Sequence, residues 1–267
     1  MIPPILCYHK VERRRELGVT RLSPRRFARQ MRRLADAGWR TIDLADAVAC
    51  GRGERVAGVR ELSITFDDGY RGLRDHAFPV LADLGFTATC FVITEYAGRL
   101  NRWDVAYGGR RFAHLAWRDM RRWQERGITF ASHTATHPRL TWLGETEVAR
   151  ELTSSHRAIQ RALDASSWAV SYPFGAVTER ERRLALEAGY TAGFGLAAVP
   201  QADAMTMARI PVYAWAPPLP AVGPLARLER IAAIGANRCA VGTSLWMSIR
   251  ALRCRITDAA AELSGAR

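Results

Sequence analysis

At 267 residues the chain is long enough for one large α/β domain or two small ones, and 48% hydrophobic with 24% charged residues excludes wholesale disorder. Its net charge of +13 is almost wholly arginine, Lys10 being the only lysine; such a surface attracts acidic polymers or anionic headgroups, yet no nucleic-acid recognition motif accompanies it. Five scattered cysteines (Cys7, Cys50, Cys90, Cys239, Cys254) with no Cys-x-x-Cys pair argue against a disulfide framework and for a reducing compartment.

Strand-like and helix-like segments alternate from the start. Ile5-Leu6-Cys7-Tyr8 is a short apolar run. Ser23-Pro24 then opens a helix, with Phe27, Met31 and Leu34 at helical spacing and Gly38 as its stop. Residues 62–66 read as a strand, the segment from Asp75 to Gly85 as a helix, and Thr87-Ala88-Thr89-Cys90-Phe91-Val92-Ile93 as a buried strand. There follow a helix near 117–126, a strand at 128–132, a helix near 145–163 and a strand at 168–172. A helix near 178–188, a strand near 191–196 and the run Arg209-Ile210-Pro211-Val212-Tyr213 complete the pattern. Such alternation implies parallel strands joined by crossover helices, in a barrel or an open doubly wound sheet.

The texture changes near Ala216. Pro217, Pro218, Pro220 and Pro224 read as a semi-rigid connector, dividing a domain over 1–216 from a tail over 217–267. The tail holds seven arginines against three acids at helical periodicity. Such a basic amphipathic segment either lies on an anionic membrane surface or packs on the domain. The N-terminus shows no secretory leader, and no apolar stretch reaches the ~18 residues of a membrane span. The expected location is therefore cytoplasmic, with peripheral membrane contact only where the tail takes the first of those two placements.

The chemistry concentrates at two strand ends. Leu62-Ser63-Ile64 runs into Thr65-Phe66-Asp67-Asp68-Gly69. Ile128-Thr129-Phe130-Ala131-Ser132 runs into His133-Thr134-Ala135-Thr136-His137, and Pro138 then places the histidine pair in a loop. One acid and two histidines can hold a metal ion while the second acid serves as a base. Both motifs lie beyond the C-terminal ends of expected parallel strands, where α/β folds place their sites.

Thr65–Tyr70 with Ser132–Pro138 resembles the first two motifs of the polysaccharide deacetylase family (the NodB-homology domain, carbohydrate esterase family 4). Tyr172-Pro173-Phe174-Gly175 is similar to its third motif. The resemblance spans about residues 1–216 and implies a distorted (β/α)7-type barrel. It further implies a metal-dependent hydrolase removing acetyl from an amino sugar of a polysaccharide or glycolipid. Asp67 would be the general base; Asp68, His133 and His137 would hold the metal. Zinc fits that ligand set, and cobalt, nickel or iron would also fit. The backbone N–H of Phe174 would hold the oxyanion, with Tyr172 beside it.

Two departures from the family pattern matter. No histidine follows His156, so the usual late proton donor is missing. Leu6-Cys7-Tyr8-His9 resembles the early Tyr-His of the poly-N-acetylglucosamine deacetylase subgroup, which implies His9 as the acid, protonated near neutral pH; the alternative is a histidine that caps the first strand. Ser171-Tyr172 replaces the third motif's arginine, and Arg209 stands either as its substitute or in a surface ion pair. His76 and His114 read as structural. Trp103, in a loop after the third strand, either stacks on a sugar ring or belongs to the core. Two further functions remain open at this stage: hydrolysis of a small non-sugar amide, and non-catalytic glycan or membrane binding.

Overall fold

The computed structural model describes residues 2–14, 20–103, 111–165, 167–196 and 203–214. The chain opens with β1 (Ile5–Tyr8), the short strands β2 (Lys10–Val11) and β3 (Arg21–Leu22), α1 (Pro24–Asp36), β4 (Arg40–Thr41) and α2 (Leu44–Gly51). Then come β5 (Glu61–Phe66), α3 (Gly72–His76), α4 (Phe78–Asp83), β6 (Ala88–Val92), α5 (Trp117–Gln124) and β7 (Ile128–Ser132). The order ends with α6 (Glu145–Leu163), β8 (Ala169–Ser171), α7 (Glu179–Glu187), β9 (Ala192–Phe194) and β10 (Ile210–Pro211). The expected connector and basic tail over 217–267 lie outside the described residues. No described helix is long and apolar enough to cross a membrane.

The strands pair in parallel in the order β10-β1-β5-β6-β7-β8-β9, with β4 beside β5. The run 204–211 touches both outer edges. Met207 exchanges hydrogen bonds with Gly193 in β9 and Gly195 just after it, each 2.9 Å, while Ile210 and Pro211 pair with Leu6 and Cys7 of β1. That segment closes the sheet into a small barrel, in line with the (β/α)7 expectation.

Local chemistry explains most elements. Ser23 caps α1, its hydroxyl accepting the Arg26 N–H at 3.3 Å, with Pro24 in the first turn and Phe27, Met31 and Leu34 buried. The single helix expected after Asp75 is two, because the chain bends at Ala77 and restarts with Pro79 in the first turn of α4. Helix α2 was not foreseen; Leu44, Ala47 and Val48 bury one side of it.

Strand alternation decides what faces inward. Leu6, Tyr8, Leu62, Ile64, Phe66, Ile128 and Phe130 pack outward under the helices. Ile5, Phe91, Ala131, Ala169, Phe194 and Met207 form a second core inside the barrel. Continuing the inward parity brings His9, Asp67 and His133, each one step past its strand, and Ser171, the last residue of β8, to the barrel mouth. A one-residue register slip would turn this whole set outward.

Candidate active site

Asp67 follows β5 directly and is 4% exposed. Its two carboxylate oxygens accept Nη1–H and Nη2–H of Arg209, both at 2.7 Å. Arg209 lies one residue before β10 and is 1% exposed, so it makes a buried pair rather than a surface one. Its remaining donors reach the Ser171 hydroxyl (2.7 Å), the Thr65 hydroxyl (3.2 Å) and the Gly195 carbonyl (3.2 Å), and its guanidinium carbon sits 5.1 Å from the Phe91 ring centre. Ser171 Oγ also donates to Asp67 at 3.3 Å, and the Cys7 thiol lies 3.5 Å from the same oxygen. Burial pushes the Asp67 carboxyl up, but the Arg209 charge, His133 and the guanidinium hydrogen bonds together outweigh it, holding Asp67 well below the usual carboxylate range. Asp67 is ionised.

Asp68 turns the other way because its backbone is left-handed (φ 68°), followed by Gly69 (φ 67°). A Cβ on Gly69 would come within 2.8 Å of Val92, so glycine is required on both counts. Asp68 Oδ1 faces the Nε2 atoms of His133 and His137 at 3.5 and 3.6 Å. The ligand atoms of these three buried side chains all lie within 4.8 Å of one another. His133 Nδ1 is 2.8 Å from the Ser171 carbonyl, which can only accept, so Nδ1 carries the proton and Nε2 presents a lone pair. Burial lowers both histidines: for His133 it overrides the Asp67 charge, and for His137 the neighbouring His133 adds to it. Two neutral imidazoles and a carboxylate thus aim lone pairs at one point. Electron-rich atoms brought together out of water fit a divalent cation between them, and the donor set suits zinc.

The loop carrying the histidines is held from α6. Glu151 accepts the backbone N–H groups of Ala135 (3.0 Å) and Thr136 (2.8 Å) and the Thr136 hydroxyl (2.7 Å). Ser132 and Ser155 hydroxyls meet at 2.8 Å, and Ser132 also receives the Thr134 N–H. Behind Asp68, the Trp103 indole N–H donates to His114 Nε2 (3.2 Å), and His114 Nδ1 in turn contacts the Asp68 carbonyl (2.7 Å). The expectation of a structural His114 is met: it secures the backbone of a candidate ligand.

The structure relocates two of the expected site residues. Trp103 is 9% exposed, its ring 4.0 Å from that of His137, so it backs a histidine instead of presenting a face to a sugar. Tyr172 follows Val170 into the outer core with Leu152, Leu184 and Tyr190, and its hydroxyl packs over Gly193. Alternation gave the inward position to Ser171. Phe174 stays at the mouth, left-handed (φ 60°), with its ring 4.9 Å from His137.

His9 follows β1, with a nitrogen within 4.8 Å of both Cys7 Sγ and an Asp67 oxygen. Its Nδ1 is buried without a hydrogen-bond partner. The resemblance implies a protonated His9 near neutral pH; the surroundings oppose this. Burial lowers it most, Asp67 raises it, and Arg209, His133 and Lys10 lower it further, to about 4. His9 rests neutral.

Sequence reasoning did not single out Glu151, Ser155 or Thr65. A signal existed for the first two: an acid and a serine four residues apart occupy the buried stripe of α6 otherwise made by Val148, Leu152 and Ile159.

A parallel α/β barrel with an Asp-His-His cluster and a buried Asp-Arg pair at its mouth defines a class of candidate metal-site proteins. Comparison with known proteins narrows that class. Residues 55–193 match the family model described as polysaccharide deacetylase, and the chain belongs to that family. YxkH of Bacillus subtilis (strain 168) is 28% identical over 190 residues, which are 71% of this chain and 63% of YxkH; the chain thus spans less than two thirds of that relative. Two solved structures share the fold. The Streptococcus pyogenes deacetylase PplD in complex with acetate has a TM-score of 0.70 at 21% identity, covering 81% of this chain and 94% of that one. IcaB from Ammonifex degensii has a TM-score of 0.68 at 22% identity, covering 78% and 91%.

Proposed function

We propose that this protein is a metal-dependent deacetylase that hydrolyses the N-acetyl group of an amino sugar in a polysaccharide or lipid-linked glycan. The observation that carries this reading is the convergence of Asp68, His133 and His137 within 4.8 Å, beside an ionised Asp67. Family membership supports it, as does the acetate held by the PplD structure, acetate being the acid product of such a reaction.

Asp68, His133 and His137 would hold a divalent ion, which would supply Lewis acidity to the acyl oxygen and to a water molecule. The chain's own groups handle the protons. Asp67 accepts the proton of the attacking water as the new C–O bond forms. Its pairing with Arg209 makes it a weak base, so it passes the proton on. His9, neutral and with a bare nitrogen, receives that proton and delivers it to the leaving nitrogen as the C–N bond breaks. Phe174, left-handed and with its ring beside His137, supports the oxyanion role that the family resemblance implies for its backbone N–H. Tyr8-His9 aligns the chain with the poly-N-acetylglucosamine deacetylase subgroup. Buried free cysteines (Cys7, Cys50, Cys90) fit the cytoplasmic setting, which favours a precursor or glycolipid substrate.

Acetate release from N-acetylglucosamine oligomers, measured with and without added Zn²⁺ or Co²⁺, tests the reading. Metal-dependent release supports it. Release unchanged by exhaustive chelation overturns the metal's part, and no release from any acetylated glycan overturns the activity.

A further inference from the structure

Trp142 is the one aromatic among the large hydrophobic side chains exposed on the described residues, at 54% exposure. It lies on the loop that carries the candidate ligands, five positions after His137, so the two Cα atoms are at most about 17 Å apart. That loop leaves β7 at the mouth of the barrel and returns as α6. Val56 and Val59, which are more exposed, precede β5 and so belong to the opposite end.

The ring sits on a pinned turn. The Trp142 N–H donates to the Arg139 carbonyl at 3.0 Å, and the turn's first residue, Leu140, is fully buried. The Leu140 carbonyl is held by Arg180 at 3.1 Å. The Arg139 guanidinium lies 5.0 Å from the indole centre, and its Nε–H donates to the Thr141 hydroxyl at 3.3 Å. A cation over an aromatic face fixes the ring's orientation. A large apolar surface is thereby kept in water and held still, on the loop that carries two of the three candidate ligands. Rigid aromatic rings lose little conformational freedom on contact, and their flat face matches the C–H face of a pyranose.

We infer that Trp142, oriented by Arg139, is a stacking platform for a sugar ring of the substrate at a distance from the unit being deacetylated. This rests on the deacetylase reading and deepens it: the enzyme selects oligomers over single sugars, and Trp142 sets that preference. Trp103, the aromatic that the sequence offered for such a role, is turned behind His137.

The test compares N-acetylglucosamine with its β-1,4- and β-1,6-linked pentamers in wild type, Trp142→Ala and Trp142→Phe. Because Trp142 is exposed, both variants should keep the wild-type melting temperature. The expected result is a wild type that favours a pentamer, with Trp142→Ala raising the pentamer KM about tenfold while kcat holds. The monomer KM should change less than the pentamer KM, and Trp142→Phe should recover most of the loss. A wild type that prefers a pentamer but keeps its KM in Trp142→Ala overturns the platform and leaves the deacetylase intact. Equal action on monomer and pentamers overturns the platform as well. Failure of the wild type on all three substrates removes the activity and the platform together.

Discussion

Asp67 and Arg209, 142 positions apart in sequence, meet in a two-pronged contact with both N–O distances at 2.7 Å. The pair is nearly sealed from solvent, so each charge depends on the other. Planar guanidinium and planar carboxylate also fix each other's orientation, which a lysine cannot do. Arg209→Met should therefore destabilise the protein by about 3–5 kcal/mol, because Asp67 is left as a buried, uncompensated anion. Arg209→Lys should retain the fold but lower acetate release at least tenfold by misorienting the base. Urea unfolding and initial-rate measurements on the two variants check both statements.

Glu151 touches no candidate ligand, yet it gathers three donors of the histidine loop. Glu151→Ala leaves those donors unsatisfied beneath the site and should cost about 2–4 kcal/mol. Zinc affinity should fall roughly 10- to 100-fold, as is usual when support behind a ligand is removed. Isothermal titration with Zn²⁺ reads the second effect separately from the first.

Acid should weaken the metal-free protein in a defined window. His9, His133 and His137 are all lowered from 6.5 by burial, His9 to about 4. Below pH 6.5 the unfolded chain therefore binds protons that the folded chain refuses. Stability is full above pH 6.5 and falls as pH drops toward 4. His9→Gln should flatten the slope of melting temperature against pH in that range. Saturating Zn²⁺ should raise the melting temperature at pH 7, and His133→Ala should abolish that rise.

Among the described residues, five non-glycine residues have left-handed backbone, and four of them (Asp68, Thr134, His137, Phe174) belong to the site. The fifth, Asp164, ends α6, where its N–H bonds to the Gln160 carbonyl. Asp164→Gly should stabilise the protein by about 0.5–1 kcal/mol with kinetics unchanged, since glycine suits a helix terminus of this kind. Phe174→Gly should relieve similar strain but remove the ring from His137, so stability rises while kcat/KM falls. Denaturation and kinetics on the two variants separate strain kept for the site from strain at a helix end.

Much of this was legible in the sequence. The candidate ligand cluster was readable because its residues follow strands of clear periodicity: Ile64 and Phe66 alternate before Asp67, and Phe130 precedes His133 by three. Helix α1 was readable from Ser23-Pro24, and α6 from its long buried stripe. Tyr172 was misplaced because β8 has only three residues, too few to show which parity faces inward. Trp103 was ambiguous for a different reason: its loop has no periodicity, and only tertiary packing turns it toward His137. His9 shows a third kind of limit. Its position followed from the strand, but its charge state depends on Arg209 and His133, which only folding brings near.

The most direct measurement is the paired metal content and acetate release of wild type and Asp67→Asn. One divalent ion per chain is expected in both proteins, with release from an N-acetylated glycan lost only in the variant. A wild type that binds no such ion, or an Asp67→Asn protein that works at the normal rate, would contradict it.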